Sequence, residues 1–181
     1  MSDNSNTFIS ENYSYMNTLK NKNFPNISLP NQDGNLLNLH RSDTFRMVLY
    51  FYPMTGRPDK PLPDNWNNIP GAKGCTIQTC LFRDNYDEII SLNAVPIGIS
   101  SQGVDDNKEM TNRLKIPYDV LSDEKLELSN ELNIPTFSVN SNIFLKRITL
   151  IVEKKIIKKV FYPINDINKH IEEVLKWLKE N

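Results

Sequence analysis

Apolar residues along the chain fall into short blocks with two different spacings, and the spacings predict the elements. Ile27 and Leu29 are separated from Leu37 and Leu39 by Asn31-Gln32-Asp33-Gly34. The Asp-Gly pair supplies the positive φ that a tight turn needs, so a surface β-hairpin is expected there. Residues 47–52 form an unbroken β-branched and aromatic run stopped by Pro53, the pattern of a central strand buried on both faces. From Met54 to Gly74 periodic apolar residues give way to Pro, Gly, Asp and Asn. A loop this long inside a compact domain has a function or is mobile. Leu81, Phe82, Tyr86, Ile89 and Ile90 then recur at three- and four-residue spacing and predict one helix from Cys75 to about Asn93.

Further on, a strand at 95–99, a helix at 105–114, a short strand at 118–121 and a helix at 124–132 alternate as in an α/β protein with a partly parallel sheet. The last third changes style. Residues 147–152 and 156–161 flank Glu153-Lys154-Lys155 as a hairpin, and Ile167, Ile171, Val174, Leu175 and Leu178 stripe a closing helix after an Asn165 or Asp166 cap. The expected fold class is therefore α/β, with a central mixed sheet flanked by helices and an N-terminal β-hairpin. No internal repeat interrupts it. Residues 1–22 are rich in Ser and Asn, carry Asp3 and Glu11, and have neither an apolar nor an Arg-rich targeting pattern. They read as a disordered leader, with a single domain at 23–181 and a cytoplasmic location.

Length and charge narrow the function classes. A chain of 181 residues suits one domain. Its 21 basic and 22 acidic side chains leave a net charge of −1, so no bulk field gathers nucleic acid or anionic lipid. The longest apolar run, 48–52, is far below the roughly 20 residues that span a bilayer. The expected partners therefore include neither nucleic acid nor membrane.

The chain's two cysteines, Cys75 and Cys80, are five residues apart. That is too few for a secreted disulfide scaffold and the wrong spacing for a zinc knuckle. Cys75 falls at the first turn of a helix, where free amides and the macrodipole favour a thiolate. Gly71 and Gly74 let backbone approach a bound oxygen, and Lys73 and Arg83 add positive charge. Five helical steps separate the two Cα atoms by about 8–9 Å, beyond the roughly 7 Å limit for a disulfide. A bridge would require the first turns to unwind, which suits a catalytic cycle better than a structural staple. The plain alternative is a small buried Cys80 beside an ordinary thiol.

Gly74-Cys75-Thr76-Ile77-Gln78-Thr79-Cys80-Leu81-Phe82-Arg83-Asp84 resembles the segment around the peroxidatic cysteine of peroxiredoxins of the Q or bacterioferritin-comigratory type. The similarity extends from about Phe24 through Pro30-Asn31-Gln32-Asp33-Gly34, Phe51-Tyr52-Pro53 and Leu121-Ser122-Asp123 to Lys146-Arg147-Ile148-Thr149-Leu150. The resemblance implies a thioredoxin-like fold and a peroxidase. In it Cys75 attacks a hydroperoxide to give a sulfenic acid, Cys80 resolves it as a disulfide, and thioredoxin or a similar dithiol restores both thiols. It implies that Arg147 stabilises the thiolate and holds the peroxide, and that no metal, flavin or haem cofactor is needed. A monomer or homodimer is expected. One departure stands out: the family's PxxxTxxC motif places Thr three residues before the cysteine, where this chain has Ala72. The 54–74 segment looks like an insertion, so Pro53 and Thr55 are candidates for the motif's first half, folded back beside Cys75. The insertion, with Trp66 and several prolines, also reads as a lid or packing loop.

Other candidates are weaker. His40 and His170 have no acid or cysteine at ligand spacing and read as solvated surface residues, so no metal site is expected. Lys146, Lys154, Lys155, Lys158 and Lys159 read as edge protection rather than a phosphate patch. Asp84, Asp87 and Glu88 read as helix-surface acids. A second functional reading, a slow redox sensor or interaction protein with the same disulfide switch, follows from the disturbed Thr motif.

Overall fold

The computed structural model describes residues 14–40 and 45–181. In chain order it has α1 (14–19), β1 (Ser28–Pro30), β2 (Leu36–Asn38), β3 (Arg46–Phe51), a 3-10 turn (Trp66–Asn68), α2 (Cys75–Asp84) and α3 (Tyr86–Ser91). There follow β4 (Ala94–Ser100), α4 (Val104–Leu114), β5 (Val120–Ser122), α5 (Glu127–Glu131), β6 (Thr136–Val139), β7 (Asn142–Leu145), β8 (Ile148–Glu153), β9 (Ile156–Phe161) and α6 (Ile167–Glu180). The main sheet runs β5-β4-β3-β8-β9. β3 pairs parallel with β4 and antiparallel with β8, so the sheet is mixed.

The apolar run of β3 has to be unbroken because the strand faces two cores. Leu49 and Phe51 join Ile97, Ile99 and Leu150 on one side, with Leu29 and Leu39 of the first hairpin and Leu128 of α5. Val48, Tyr50 and Tyr52 face the other, against Phe82 of α2, Ile89 of α3, Met110 of α4 and Val174 and Leu178 of α6. The period-2 alternation of a strand thus divides one hydrophobic run between two layers. The first hairpin forms as expected, with Gly34 at φ 81°.

Three expectations are corrected and one hairpin is added. The helix from Cys75 breaks at Asn85 (φ −106°, ψ 14°), whose side-chain amide donates to the Leu81 carbonyl and competes with the backbone ladder. The helix expected at 124–132 starts only at Glu127, because Leu126 is left-handed (φ 57°) and the Asp123 carboxylate accepts from the Leu128 and Ser129 amides. The β6–β7 hairpin went unread; it turns on Asn140 and Ser141, both at positive φ. The leader, expected to be disordered to residue 22, is folded from residue 14. Leu19 and Phe24 insert into the core, and Asn21 and Phe24 donate backbone hydrogen bonds to Ile157 and Lys155, covering the start of the β9 edge. Residues 1–13 of that expectation lie outside the described residues.

Candidate active site

Cys75 is the first residue of α2, and the cap before it is Gly74, at φ 93° and without a side-chain cap bond. Glycine suits the left-handed backbone there, and a β-carbon would also oblige the Ile167 Cδ1 methyl of α6 to shift. The amides of the first turn therefore have no side-chain acceptor, and the helix dipole ends at the sulfur. Cys75 is only 3% exposed, and its thiol donates to the Ala72 carbonyl at 3.5 Å.

Arg147, just ahead of β8, reaches across to this turn. It is 5% exposed, and its Nη2 lies 3.4 Å from Cys75 Sγ and donates to the Lys73 carbonyl at 2.8 Å and the Gly71 carbonyl at 3.3 Å. Its Nη1 donates to Gln78 Oε1. A buried guanidinium whose bonds converge on the 71–78 segment is a fixed cation held against the sulfur. The sequence-predicted pair Cys75 and Arg147 is thus brought together.

Gln78 was missed in the sequence. It is 1% exposed, holds Arg147 through Oε1, and leaves Nε2 buried without a partner among the described residues. The available signal was its spacing: three residues after Cys75, it shares the helix face that the cysteine uses. Cys80 lies on the same unbroken helix, half-buried and unbridged. Behind the pair, Tyr118 Oη donates to the Thr79 carbonyl at 2.9 Å and lies 3.0 Å from Tyr50 Oη. Burial pushes both phenols above their ordinary range.

Thr55 is not joined to this group. Its amide and hydroxyl both donate to Gln102 Oε1, at 2.8 and 3.2 Å, and its carbonyl accepts from Gln102 Nε2. Among the described residues no hydrogen bond links it to Cys75 or Arg147. The chain leaving Pro53 crosses the end of β4, where Gln102 captures it. The 54–74 segment is a packed loop: Trp66 meets Phe144 at 4.8 Å and Phe137 at 5.9 Å, and Ala72 is buried in the same cluster. Arg83 turns aside to Asp84 and the Leu114 carbonyl.

The histidines also depart from expectation. His170 is 2% exposed, with Nε2 2.9 Å from Thr149 Oγ1 and its ring against Phe82 and Phe161. Burial, and then the Arg147 charge, lower its pKa to about 4. His40 is half-buried, with Nδ1 2.8 Å from the Phe24 carbonyl. Asp84 and Asp87 are exposed, and Glu88 pairs with Lys179 at 2.7 Å.

Beside Arg147 opens a cleft of about 170 Å³, walled by Pro70, Phe137, Tyr162, Pro163 and Ile164. A larger cavity of about 510 Å³, near Thr55 and Gln102, is not lined by Cys75 or Arg147.

The family model for Redoxin matches residues 19–175. The chain belongs to the redoxin family. This redoxin is 30% identical over 156 residues to chloroplastic peroxiredoxin Q of Populus jackii, covering 86% of the chain and 65% of the relative. The corresponding protein of Triticum aestivum is 31% identical over 156 residues, covering 84% and 63%. The redoxin thus spans a little under two thirds of these relatives' length. Among solved structures it is similar to peroxidoxin BcpB from Mycobacterium tuberculosis, with TM-score 0.74 and 21% identity over 90% of this chain and 97% of that one. It is also similar to the bacterioferritin comigratory protein of Xanthomonas campestris, with TM-score 0.71 and 18% identity over 90% and 96%. The fold is that of peroxiredoxin Q proteins, the thioredoxin-like architecture expected from the motif resemblance.

Proposed function

We propose that this redoxin is a thiol peroxidase that reduces hydrogen peroxide and organic hydroperoxides. The observation that carries the reading is the Arg147 guanidinium 3.4 Å from the buried Cys75 sulfur at the start of a helix. The Cys75 thiolate attacks the terminal peroxide oxygen. An S–O bond forms, the O–O bond breaks, and sulfur passes two electrons to the peroxide. The departing alkoxide or hydroxide takes a proton and leaves as alcohol or water. Charge builds on that oxygen, and a fixed cation with free helix amides stabilises it more than the ground state. The relatives support the reading: they carry the name peroxiredoxin Q, and the Xanthomonas campestris protein has alkyl peroxide reduction activity.

Cys80 then condenses with the Cys75 sulfenic acid, releasing water and closing a disulfide, which protects the sulfur from further oxidation. Thioredoxin or a similar dithiol in a reducing compartment such as the cytoplasm restores both thiols by exchange. This chemistry is complete without a metal or prosthetic group. The test is stopped-flow oxidation of the reduced protein by hydrogen peroxide and an organic hydroperoxide, with the Cys75–Cys80 bridge scored by mass spectrometry. Fast oxidation ending in the bridge and reversed by thioredoxin is expected; oxidation no faster than a free thiol would sink the proposal. The second reading, a slow redox sensor with the same disulfide, is favoured by the engagement of Thr55 with Gln102. It requires single-turnover bridging but slow cycling with any dithiol.

A further inference from the structure

The cleft beside Arg147 is lined by five apolar or aromatic side chains, those of Pro70, Phe137, Tyr162, Pro163 and Ile164, beside the polar Lys146, Arg147 and Asn165. Arg147 joins the cleft to the reactive sulfur: it lines the cleft and lies 3.4 Å from Cys75 Sγ, while Cys75 itself is not part of the lining, and hydrogen peroxide needs only the Arg147–Cys75 end of this pair. The apolar walls have a use only for a substrate with a carbon group on the far oxygen. One wall residue, Tyr162, is braced from outside by the leader. Tyr15 of α1 packs edge-on against it, with ring centroids 5.5 Å apart and an interplanar angle of 72°. Met16 of the same turn lines a neighbouring hollow with Tyr162, Pro163 and Ile164. α1 is itself anchored, through buried Leu19 and through the hydrogen bonds of Asn21, Lys22 and Phe24 to β9.

The Tyr15 hydroxyl is buried and has no partner among the described residues. The residue is therefore present for its ring, not its oxygen. Burial also drives its pKa well above the ordinary range, so it remains a neutral aromatic edge at any working pH.

Resting on the peroxidase reading, we infer that α1 sets substrate preference: Tyr15 fixes Tyr162 as the outer wall of a subsite for the apolar group of an organic hydroperoxide. Tyr15 is a positioning residue, since it touches the wall and not the substrate. Loosening the wall costs contacts only to substrates that reach it, and lost apolar contact in a pocket is worth about tenfold or more in discrimination.

The experiment compares hydrogen peroxide with cumene hydroperoxide on the full chain, by stopped-flow oxidation and by steady-state KM and kcat. Tyr15→Ala is expected to raise the KM for cumene hydroperoxide about tenfold, with kcat and the hydrogen peroxide rate unchanged. Tyr15→Phe is expected to match the parent chain, because only the unpartnered hydroxyl is lost. If Tyr15→Ala melts below the assay temperature, Tyr15→Leu fills the same space without a ring edge and carries the same expectation. Equal losses with both peroxides, or no loss with either, would overturn the inference while leaving the peroxidase intact. Parent chain oxidised no faster than a free thiol would remove the peroxidase reading and the inference with it.

Discussion

If Cys80 resolves the sulfenic acid, α2 has to open first, because the two cysteines stand on one continuous helix with Cα atoms about 8–9 Å apart. The contacts that hold this helix shut then set the bridging rate. Tyr118 supplies one: its hydroxyl donates to the Thr79 carbonyl at 2.9 Å, in a peptide between the cysteines. Tyr118→Phe deletes that bond together with the 3.0 Å contact to Tyr50 Oη, which keeps Thr79 Oγ1 at 3.4 Å; of the two lost, only the Thr79 bond lies on α2 and bears on its opening. A buried hydrogen bond of this kind contributes about 0.5–1.5 kcal/mol net. Its loss destabilises the closed helix and not the open one, so opening becomes about two- to twelve-fold more favourable. After one equivalent of peroxide, quenched-flow trapping with an alkylating reagent should show the disulfide forming faster by that factor, while Cys75 oxidation keeps its rate. Amide exchange across 75–84 should accelerate in parallel. Faster exchange with unchanged bridging would refute the argument, because opening would then not limit the step.

Arg147→Lys should slow Cys75 oxidation by about a hundredfold in stopped flow, since a lysine cannot hold Gln78, the Lys73 carbonyl and the sulfur at once. Thr55→Ala should leave turnover within about twofold and cost about 0.5–1.5 kcal/mol in denaturant melts, because the backbone bonds to Gln102 remain; a tenfold fall in turnover would return the hydroxyl to the reaction. Gly74→Ala should cost about 1–2 kcal/mol for the left-handed conformation alone, with more from the Ile167 contact, and should slow oxidation by shifting the first turn of α2. His170, at about 4 when folded and 6.5 when free, is fully stabilising above pH 6.5. The unfolded chain takes up its proton first, so stability falls as the pH drops from 6.5 to 4, by about 3 kcal/mol, and this contribution is flat below. Urea melts of His170→Gln should lack that slope; a slope identical to the parent's would assign it elsewhere.

What was legible in the sequence was what is local. The run 47–52 announced a strand with two buried faces, and Gly74-Cys75 announced a helix start, because each depends on neighbours in the chain. The meeting of Cys75 with Arg147 joins residues 72 apart, and no periodicity encodes it; the motif resemblance carried that expectation. His170 was misread although the stripe contained it: it stands three residues after Ile167 and four before Val174, on the apolar face of α6. Polarity was weighed above position. The leader was misread for the opposite reason. Tyr15, Met16, Leu19 and Phe24 are sparse apolar residues in a polar stretch, and their place in the core beside the β9 edge is made by distant parts of the chain.

The 54–74 loop and the alanine at position 72 share one physical explanation. Trp66 anchors the 54–74 loop against Phe137 and Phe144, and Ala72 is drawn into that cluster with no exposed surface. A threonine there would bury its hydroxyl among apolar side chains at a cost of about 1–3 kcal/mol unless it found a partner. The residue three before Cys75 therefore packs in that cluster, and the Thr55 hydroxyl donates to Gln102. Arg147 stands beside the sulfur at the start of α2, and Gln78, which holds Arg147, keeps its Nε2 without a partner among the described residues. On the proposed peroxidase reading, Arg147 and the amides of the first turn of α2 are the donors that a peroxide oxygen would meet. The same loop contributes Pro70 to the cleft, so the packing that buries Ala72 also sets the wall against which, on the proposed reading, an organic substrate would lie.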